Sequence, residues 1–178
     1  LSLQSQRETN SEVASRLAVA AARVQAIAGL HHHLHSMDGL LTIEFKPYLE
    51  RLCRGLATMS MSEERPDQAI VVDAVELRLP TTTGLPLGLI VNELVTNAIK
   101  YGRGRITVTL APSAQGHAPK GHALSVCNDG SSLPAAFDPA AAKGLGMTLV
   151  SSLVAQIGGE LRIDRGGDDC TRFTVLFA

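Results

Sequence analysis

The chain has 178 residues, of which 45% are hydrophobic and 19% charged, as is typical of a globular protein with a sizeable core. Its formal net charge of -1 argues against broad electrostatic capture of nucleic acid or of a membrane surface. Aromatic residues make up only 3%, so the stacking platforms of single-strand nucleic-acid binders are not expected. We therefore predict no nucleic-acid partner and no membrane contact within this sequence.

Cysteine usage and hydropathy favour a cytoplasmic protein. Cys53, Cys127 and Cys170 are far apart and form no C-x-x-C pair, so neither a disulfide framework nor a zinc knuckle is expected. Free thiols suit a reducing compartment. No run approaches the roughly 18 apolar residues of a membrane span, and no signal peptide is recognisable. The first residue is Leu1 rather than methionine, which suggests a fragment of a longer chain.

Residues 11–35 are predicted to form one long helix, with Ser11 as its N-cap and an apolar stripe along it. A lone helix cannot bury such a stripe. It should pair with another helix, either the piece before it at residues 1–7 or a second copy of the chain. We therefore expect residues 1–39 to be part of a dimerising helical hairpin. His31 and His35 stand four residues apart near its end, but two ligands without a carboxylate or cysteine are a weak zinc signal. Surface histidines near a helix C-terminus are the preferred interpretation.

Residues 40–178 predict an α+β fold with the element order βαββαββαββ. Strands are expected at 43–45, 69–73, 75–79, 105–110, 124–128, 160–164 and 171–177, and helices at 46–59, 84–101 and 144–157. The strands at 69–73 and 75–79 are predicted to pair tightly with each other, and a turn at 166–169 is predicted to join the last two. The helices should cover one face of a mixed, mainly antiparallel sheet, which makes a two-layer sandwich.

The helix at 84–101 combines a broad apolar face with a polar stripe. The apolar face consists of Leu87, Ile90, Val91, Leu94, Val95, Ala98 and Ile99. Glu93 and Asn97 lie four residues apart, with Lys100 and Tyr101 one turn further on, so these four side chains share the other side. They could hold a metal, a polyanion and a flat ring together, although a solvated helix face carries the same pattern.

Gly144-Leu145-Gly146 is predicted to open the helix at 144–157. Free backbone N–H groups and the helix dipole favour phosphate at such a position, and glycine lets the backbone approach closely. A lone G-x-G is a weak signal, however. The sequence contains neither a Walker-type phosphate loop nor a Rossmann fingerprint, because an Ala/Pro-rich loop at 131–143 precedes the glycines instead of a strand.

The strand at 124–128 is predicted to direct Asn128 inward, since Leu124, Val126 and Asn128 share one side at a period of two. An amide buried without a partner costs roughly 1–3 kcal/mol, so Asn128 should bind something. The alternative is a simple turn, because the following Asp129-Gly130 completes a good turn sequence.

These segments together resemble a known family. In order and separation, the helix with Glu93 and Asn97, then Asn128-Asp129-Gly130, then Gly144-Leu145-Gly146-Met147, resemble the N, G1 and G2 boxes of the gyrase/histidine-kinase ATPase superfamily. Four more segments resemble the second histidine-kinase family of bacterial two-component sensors, over nearly all the chain: Val24–Ala28 with His31, Tyr48–Cys53, Pro86–Asn97 and Thr171–Thr174. The resemblance implies a Bergerat-type ATPase domain at 40–178 after a partial dimerisation hairpin at 1–39. It also implies a kinase that uses ATP and Mg²⁺ to phosphorylate a histidine and then supplies a response regulator.

The resemblance further implies a role for each matching residue. Asn97 would hold the Mg²⁺ that bridges the phosphates, and Glu93 would orient the metal's water and the attacking imidazole as the catalytic residue. Lys100 would contact phosphate, and Tyr101 would lie against the base or ribose. The remaining nucleotide contacts would come from Asn128, Gly130, Gly144, Leu145, Gly146, Met147 and Thr171.

The sequence departs from the family pattern in two places. Asn128 stands where the family has its adenine-reading Asp, and Ser132 replaces the second glycine of that box. A neutral amide accepts less strongly than a carboxylate, so about 1 kcal/mol of adenine binding is lost. The acceptor motif His-His-Arg-x-x-Asn-Asn is also missing from the sequence, and His31 matches a later histidine. The alternative function is therefore a non-catalytic relative, a dimeric adaptor or phosphotransfer scaffold with weakened or lost nucleotide binding.

Overall fold

The computed structural model describes residues 42–60, 69–113, 121–129, 145–164 and 170–178. They all belong to one compact unit, Leu41–Ala178. Several sequence predictions fall outside the described residues: the helix at 11–35 with His31 and His35, the loop at 131–143, and the turn at 166–169.

The described elements follow the predicted order βαββαββαββ. The helices are α1 (Phe45–Ser60), α2 (Thr81–Tyr101) and α3 (Leu145–Gln156). The strands are β1 (Thr42–Glu44), β2 (Ile70–Ala74), β3 (Arg78–Pro80), β4 (Ile106–Pro112), β5 (His122–Asp129), β6 (Glu160–Asp164) and β7 (Cys170–Phe177). None of these helices has both the length and the apolar content needed to cross a lipid bilayer.

The main sheet has five strands in the order β2-β4-β5-β7-β6. β2 runs parallel to β4, and the other neighbours are antiparallel, which confirms the predicted mixed sheet. β1 and β3 form a separate antiparallel pair, so the predicted pairing of 69–73 with 75–79 is wrong. The sequence between those strands lacks the Asn-Gly or Asp-Gly of a tight hairpin, and a parallel partner is reached only through a crossover, which here contains α2.

The core lies between this sheet and the three helices. Strand alternation buries one face of the sheet, including Ile106, Val108 and Leu110 of β4 and Leu124 and Val126 of β5. α2 packs against both strands and also against α1 and α3. The two-layer α+β sandwich predicted from the sequence is therefore confirmed.

α2 is the central helix of this layer. Of its predicted apolar face, Leu87, Ile90, Val91, Leu94, Val95 and Ala98 are buried and Ile99 packs against the core. The helix begins at Thr81 rather than Gly84, because Pro80 supplies an extended N-cap with φ -53 and ψ 144. Gly88 allows the close approach of α1, since a Cβ at this position would lie 2.6 Å from Cε1 of Tyr48.

A disulfide joins Cys127 of β5 to Cys170 of β7. The two are diagonal neighbours in the ladder, because Cys127 is opposite Arg172 while Cys170 is opposite Asp129. Their Cα atoms are 6.2 Å apart, within the usual range for a disulfide. The prediction of unpaired cysteines is therefore wrong for this pair, so these two cysteines no longer support a reducing compartment. Cys53 is free and buried in α1, and its burial raises the pKa of the thiol to about 12.

Candidate functional site

Polar residues lie along α2, in the first turn of α3, at the end of β5 and at the start of β7. The polar stripe of α2 runs from the core to the surface: Glu93 is 4% exposed, Asn97 is half-buried, Lys100 is exposed and Tyr101 is 78% exposed. The inner end of the stripe is therefore not a solvated helix face, because Glu93 is buried and α2 packs against both α1 and α3. The stripe opens to solvent towards the C-terminal end of the helix.

Asn97 contacts the first turn of α3. Its Nδ2 donates a hydrogen bond to Sδ of Met147 over 3.8 Å, and Met147 is buried. The N-terminus of α3 thus lies beside the polar stripe of α2. Backbone N–H groups in a first helical turn have no intrahelical acceptor, so this end of α3 suits an anionic group.

Asn128 and Thr171 form a buried polar pair on the helix-facing side of the sheet. They stand directly opposite each other in the β5/β7 ladder and are 8% and 2% exposed. Asn128 Nδ2 donates to the backbone oxygen of Asp129 over 3.5 Å, a long hydrogen bond. Asp129 itself is exposed. The predicted inward direction of Asn128 is confirmed, because the strand alternation continues to the end of β5.

The segment that follows α2 packs against Asn128 and Asp129. Gly102 is the C-cap of the helix, and a Cβ there would lie 2.5 Å from Asn128 Nδ2. The amide of Arg103 donates to the oxygen of Asp129, and the amide of Asp129 donates to the oxygen of Arg105. The end of α2 and the side chain of Asn128 are therefore held in a fixed relation. Sequence reasoning missed Gly102, although a glycine directly after a helix is a frequent C-terminal signal.

The structure brings Asn97 against Met147 and places Asn128 opposite Thr171, while Glu93 is buried one turn before Asn97 and Gly146 is half-buried in the first turn of α3. Lys100 and Tyr101 lie at the outer end of the same stripe. Gly130 and Gly144 lie outside the described residues, and of Leu145 only the backbone is described. Asn92 is buried as well and was not singled out from the sequence.

The side-chain oxygens of Asn97 and Glu93 suit a hard cation that keeps most of its hydration shell. Across the described residues, no three or more His, Cys, Asp or Glu side chains form a group that could hold a metal ion. Asn97 and Glu93 offer a small set of oxygens, and Mg²⁺ commonly takes one or two protein oxygens together with water and phosphate.

Comparison with known proteins defines the class of this fold and site. The profile of the histidine kinase-, DNA gyrase B-, and HSP90-like ATPase family matches residues 82–178, more than half of the chain, and the chain belongs to this family. A second profile, of histidine kinases, matches residues 1–60. Together the two matches identify a sensor histidine kinase with an ATPase domain of this type.

Solved structures of similar fold are also histidine kinases. The histidine kinase domain of the Erythrobacter litoralis EL346 blue-light activated histidine kinase is 26% identical, with 92% of this chain and 81% of that chain covered and a TM-score of 0.73. A longer EL346 structure is 23% identical, with coverage of 88% and 52% and a TM-score of 0.72. Histidine kinase AdeS of Acinetobacter baumannii is 15% identical, with coverage of 91% and 79% and a TM-score of 0.62. These last two show likeness of fold alone. No curated protein sequence matches the chain.

Proposed function

We propose that this chain binds ATP and Mg²⁺ between α2 and α3 and transfers the γ-phosphoryl group to a histidine. The observation that carries the proposal is the contact of Asn97 on α2 with the first turn of α3. The buried pair Asn128 and Thr171 supports it, because the end of α2 at Gly102 lies against Asn128. Asn97 offers an oxygen ligand, the N-terminus of α3 offers a site for an anion, and Asn128 and Thr171 offer hydrogen-bonding side chains.

Each part of the nucleotide then has a partner. Asn128 and Thr171 hydrogen-bond the base, and Tyr101 lies against the base or ribose. The backbone at the start of α3, including Gly144, Leu145, Gly146 and Met147, wraps the phosphates, with Gly130 beside the base and Lys100 adding positive charge. Asn97 and Glu93 hold the Mg²⁺, which neutralises phosphate charge when bound.

Phosphoryl transfer to an imidazole depends mainly on positioning and charge neutralisation. The imidazole nitrogen attacks the γ-phosphorus, ADP leaves, and Glu93 orients the imidazole. The acceptor is a histidine outside this sequence, because the family's acceptor motif is missing here and His31 matches a later position. Residues 1–39 would form the dimerising hairpin and residues 40–178 the catalytic domain, in a cytoplasmic homodimer that passes the phosphoryl group to the receiver domain of a response regulator.

The alternative function is a non-catalytic scaffold with the same fold. Asn128 is the observation that favours it, because a neutral amide replaces the carboxylate expected for adenine binding and its Nδ2 already bonds to Asp129. Stabilisation by ligand separates the two functions. Saturating ADP with Mg²⁺ should raise the unfolding midpoint, since ligand at 100 times its Kd adds about 2.7 kcal/mol. If millimolar ADP with Mg²⁺ leaves the unfolding midpoint unchanged, the chain does not bind the nucleotide and the scaffold function is favoured.

Replacing Asn128 with Asp should tighten adenine nucleotide binding by about several-fold, or ~1 kcal/mol. A carboxylate accepts the adenine amino hydrogen with full charge, and the bond from Nδ2 that is lost is long. Calorimetric Kd values for ADP at fixed Mg²⁺ measure the change. The matched control is Asp129→Asn, the reverse exchange on the exposed side of the strand, which should leave the Kd unchanged. Equal or weaker binding by Asn128→Asp would mean that Asn128 does not contact the base.

A further inference from the structure

We propose that Met147 is a positioning residue, whose sulfur selects the end of the Asn97 carboxamide that faces the metal. The inference rests on the proposed function, because it assumes that Asn97 ligates Mg²⁺. It assigns a specific task to a buried side chain that would otherwise count only as part of the core.

The carboxamide of Asn97 can turn by half a rotation with little change in shape. Its oxygen and nitrogen ends are almost equal in size but opposite in chemistry, since Oδ1 accepts hydrogen bonds and Nδ2 donates them. Only the oxygen end can ligate a hard cation. A contact that fixes the orientation of the Asn97 carboxamide therefore raises the fraction of molecules in which Oδ1 is ready to bind the metal.

The sulfur of Met147 provides such a contact. A thioether accepts hydrogen bonds and donates none, so it pairs with Nδ2 and not with Oδ1. The observed pairing, Nδ2 to Sδ over 3.8 Å, holds the nitrogen end of Asn97 against α3. Oδ1, at the other end of the carboxamide, is consequently turned away from Met147.

The contact also joins the two parts of the site that receive the phosphates and their metal. Met147 lies in the first turn of α3, the turn proposed to bind phosphate, and Asn97 lies on α2. The other buried side chains of α3 include Val150, Leu153 and Val154, which are aliphatic. An aliphatic side chain at 147 would fill the same space but leave the amide free to rotate.

The test compares nucleotide affinity with and without the metal. Met147→Leu conserves volume and removes the acceptor. We expect the Kd of ADP in Mg²⁺ to rise about twofold, because free rotation leaves roughly half of the molecules with Oδ1 facing the metal, while the Kd in EDTA stays unchanged. Met147→Ile is the second aliphatic variant. Leu153→Met is the matched control, because it makes the reverse exchange six residues, roughly 9 Å, further along α3, and both Kd values should stay as in the wild type.

A purely structural role would change the two Kd values together, and that result, or no change in either, would overturn the inference. In an Asn97→Asp background no Nδ2 remains to be held, so Met147→Leu should cause no further loss. A loss that persists there would also overturn it. If wild-type protein binds ADP equally well in Mg²⁺ and in EDTA, the metal site of the proposed function fails and this inference fails with it.

Discussion

Replacing Asn97 with Ala should weaken nucleotide binding in Mg²⁺ by about 100-fold or more, because loss of even an outer-shell contact to a metal costs 10–100-fold. Binding in EDTA should be almost unchanged. The fold should survive, since Asn97 is half-buried and its hydrogen bond to Met147 is long and weak. Alanine also has the highest helix propensity. Calorimetric titration of ADP in each condition measures both effects.

The matched control for Asn97→Ala is Thr96→Ala. Thr96 is also half-buried on α2, but its side chain points about 100° away around the helix. Its replacement should leave both Kd values near those of the wild type. If Asn97→Ala keeps its Mg²⁺-dependent affinity, the metal ligand is misassigned. If Thr96→Ala loses as much affinity, the loss comes from damage to the helix and not from the missing amide.

Replacing Cys127 with Ser should lower the free energy of unfolding by about 2–4 kcal/mol under oxidising conditions. The disulfide to Cys170 closes a loop with a sequence separation of 43, and a cross-link of this length restricts the unfolded chain strongly. Urea denaturation of both proteins measures the difference. Cys170→Ser should have the same effect, and the double variant should add little, because either change breaks the same bond.

Reductant supplies the control for the disulfide. With dithiothreitol, the free energy of unfolding of the wild type should fall almost to that of Cys127→Ser. If the difference between the two proteins persists undiminished, it comes from packing and not from the disulfide. Thiol titration gives an independent measure. Cys53 is buried with a pKa of about 12, so the native oxidised protein should show almost no fast-reacting thiol. Unfolding without reductant should then expose Cys53 alone.

The sequence was most informative where a periodic pattern is local. The apolar spacing of α2 predicted its buried face, and alternation along β5 predicted that Asn128 faces the helices. Both patterns follow from the geometry of a single element. The element order was predicted correctly for the same reason.

Pairings between distant elements were not predictable in the same way. β2 pairs with β4 and not with β3, and β5 lies beside β7 although α3 and β6 intervene. The disulfide was missed because it depends on that second adjacency. Neither partner is determined by local spacing, since both arise only when the whole sheet assembles.

The site shows the same limit. Helical spacing placed Glu93 and Asn97 on one polar stripe. It did not predict that Glu93 is almost fully buried, because burial depends on the other elements that pack against α2. The sequence put Met147 among the nucleotide contacts. It did not reveal the contact between Met147 and Asn97, which are 50 residues apart.

Calorimetric titration of the wild-type chain with ADP, in Mg²⁺ and then in EDTA, tests the central claim most directly. Because Asn128 replaces a carboxylate, binding is expected to be several-fold weaker than with an Asp at that position, but saturable at millimolar nucleotide. Affinity should be clearly higher in Mg²⁺ than in EDTA, since Asn97 and Glu93 are proposed to supply the metal-binding oxygens. Absence of heat at millimolar ADP in either condition would contradict the account and favour the non-catalytic scaffold.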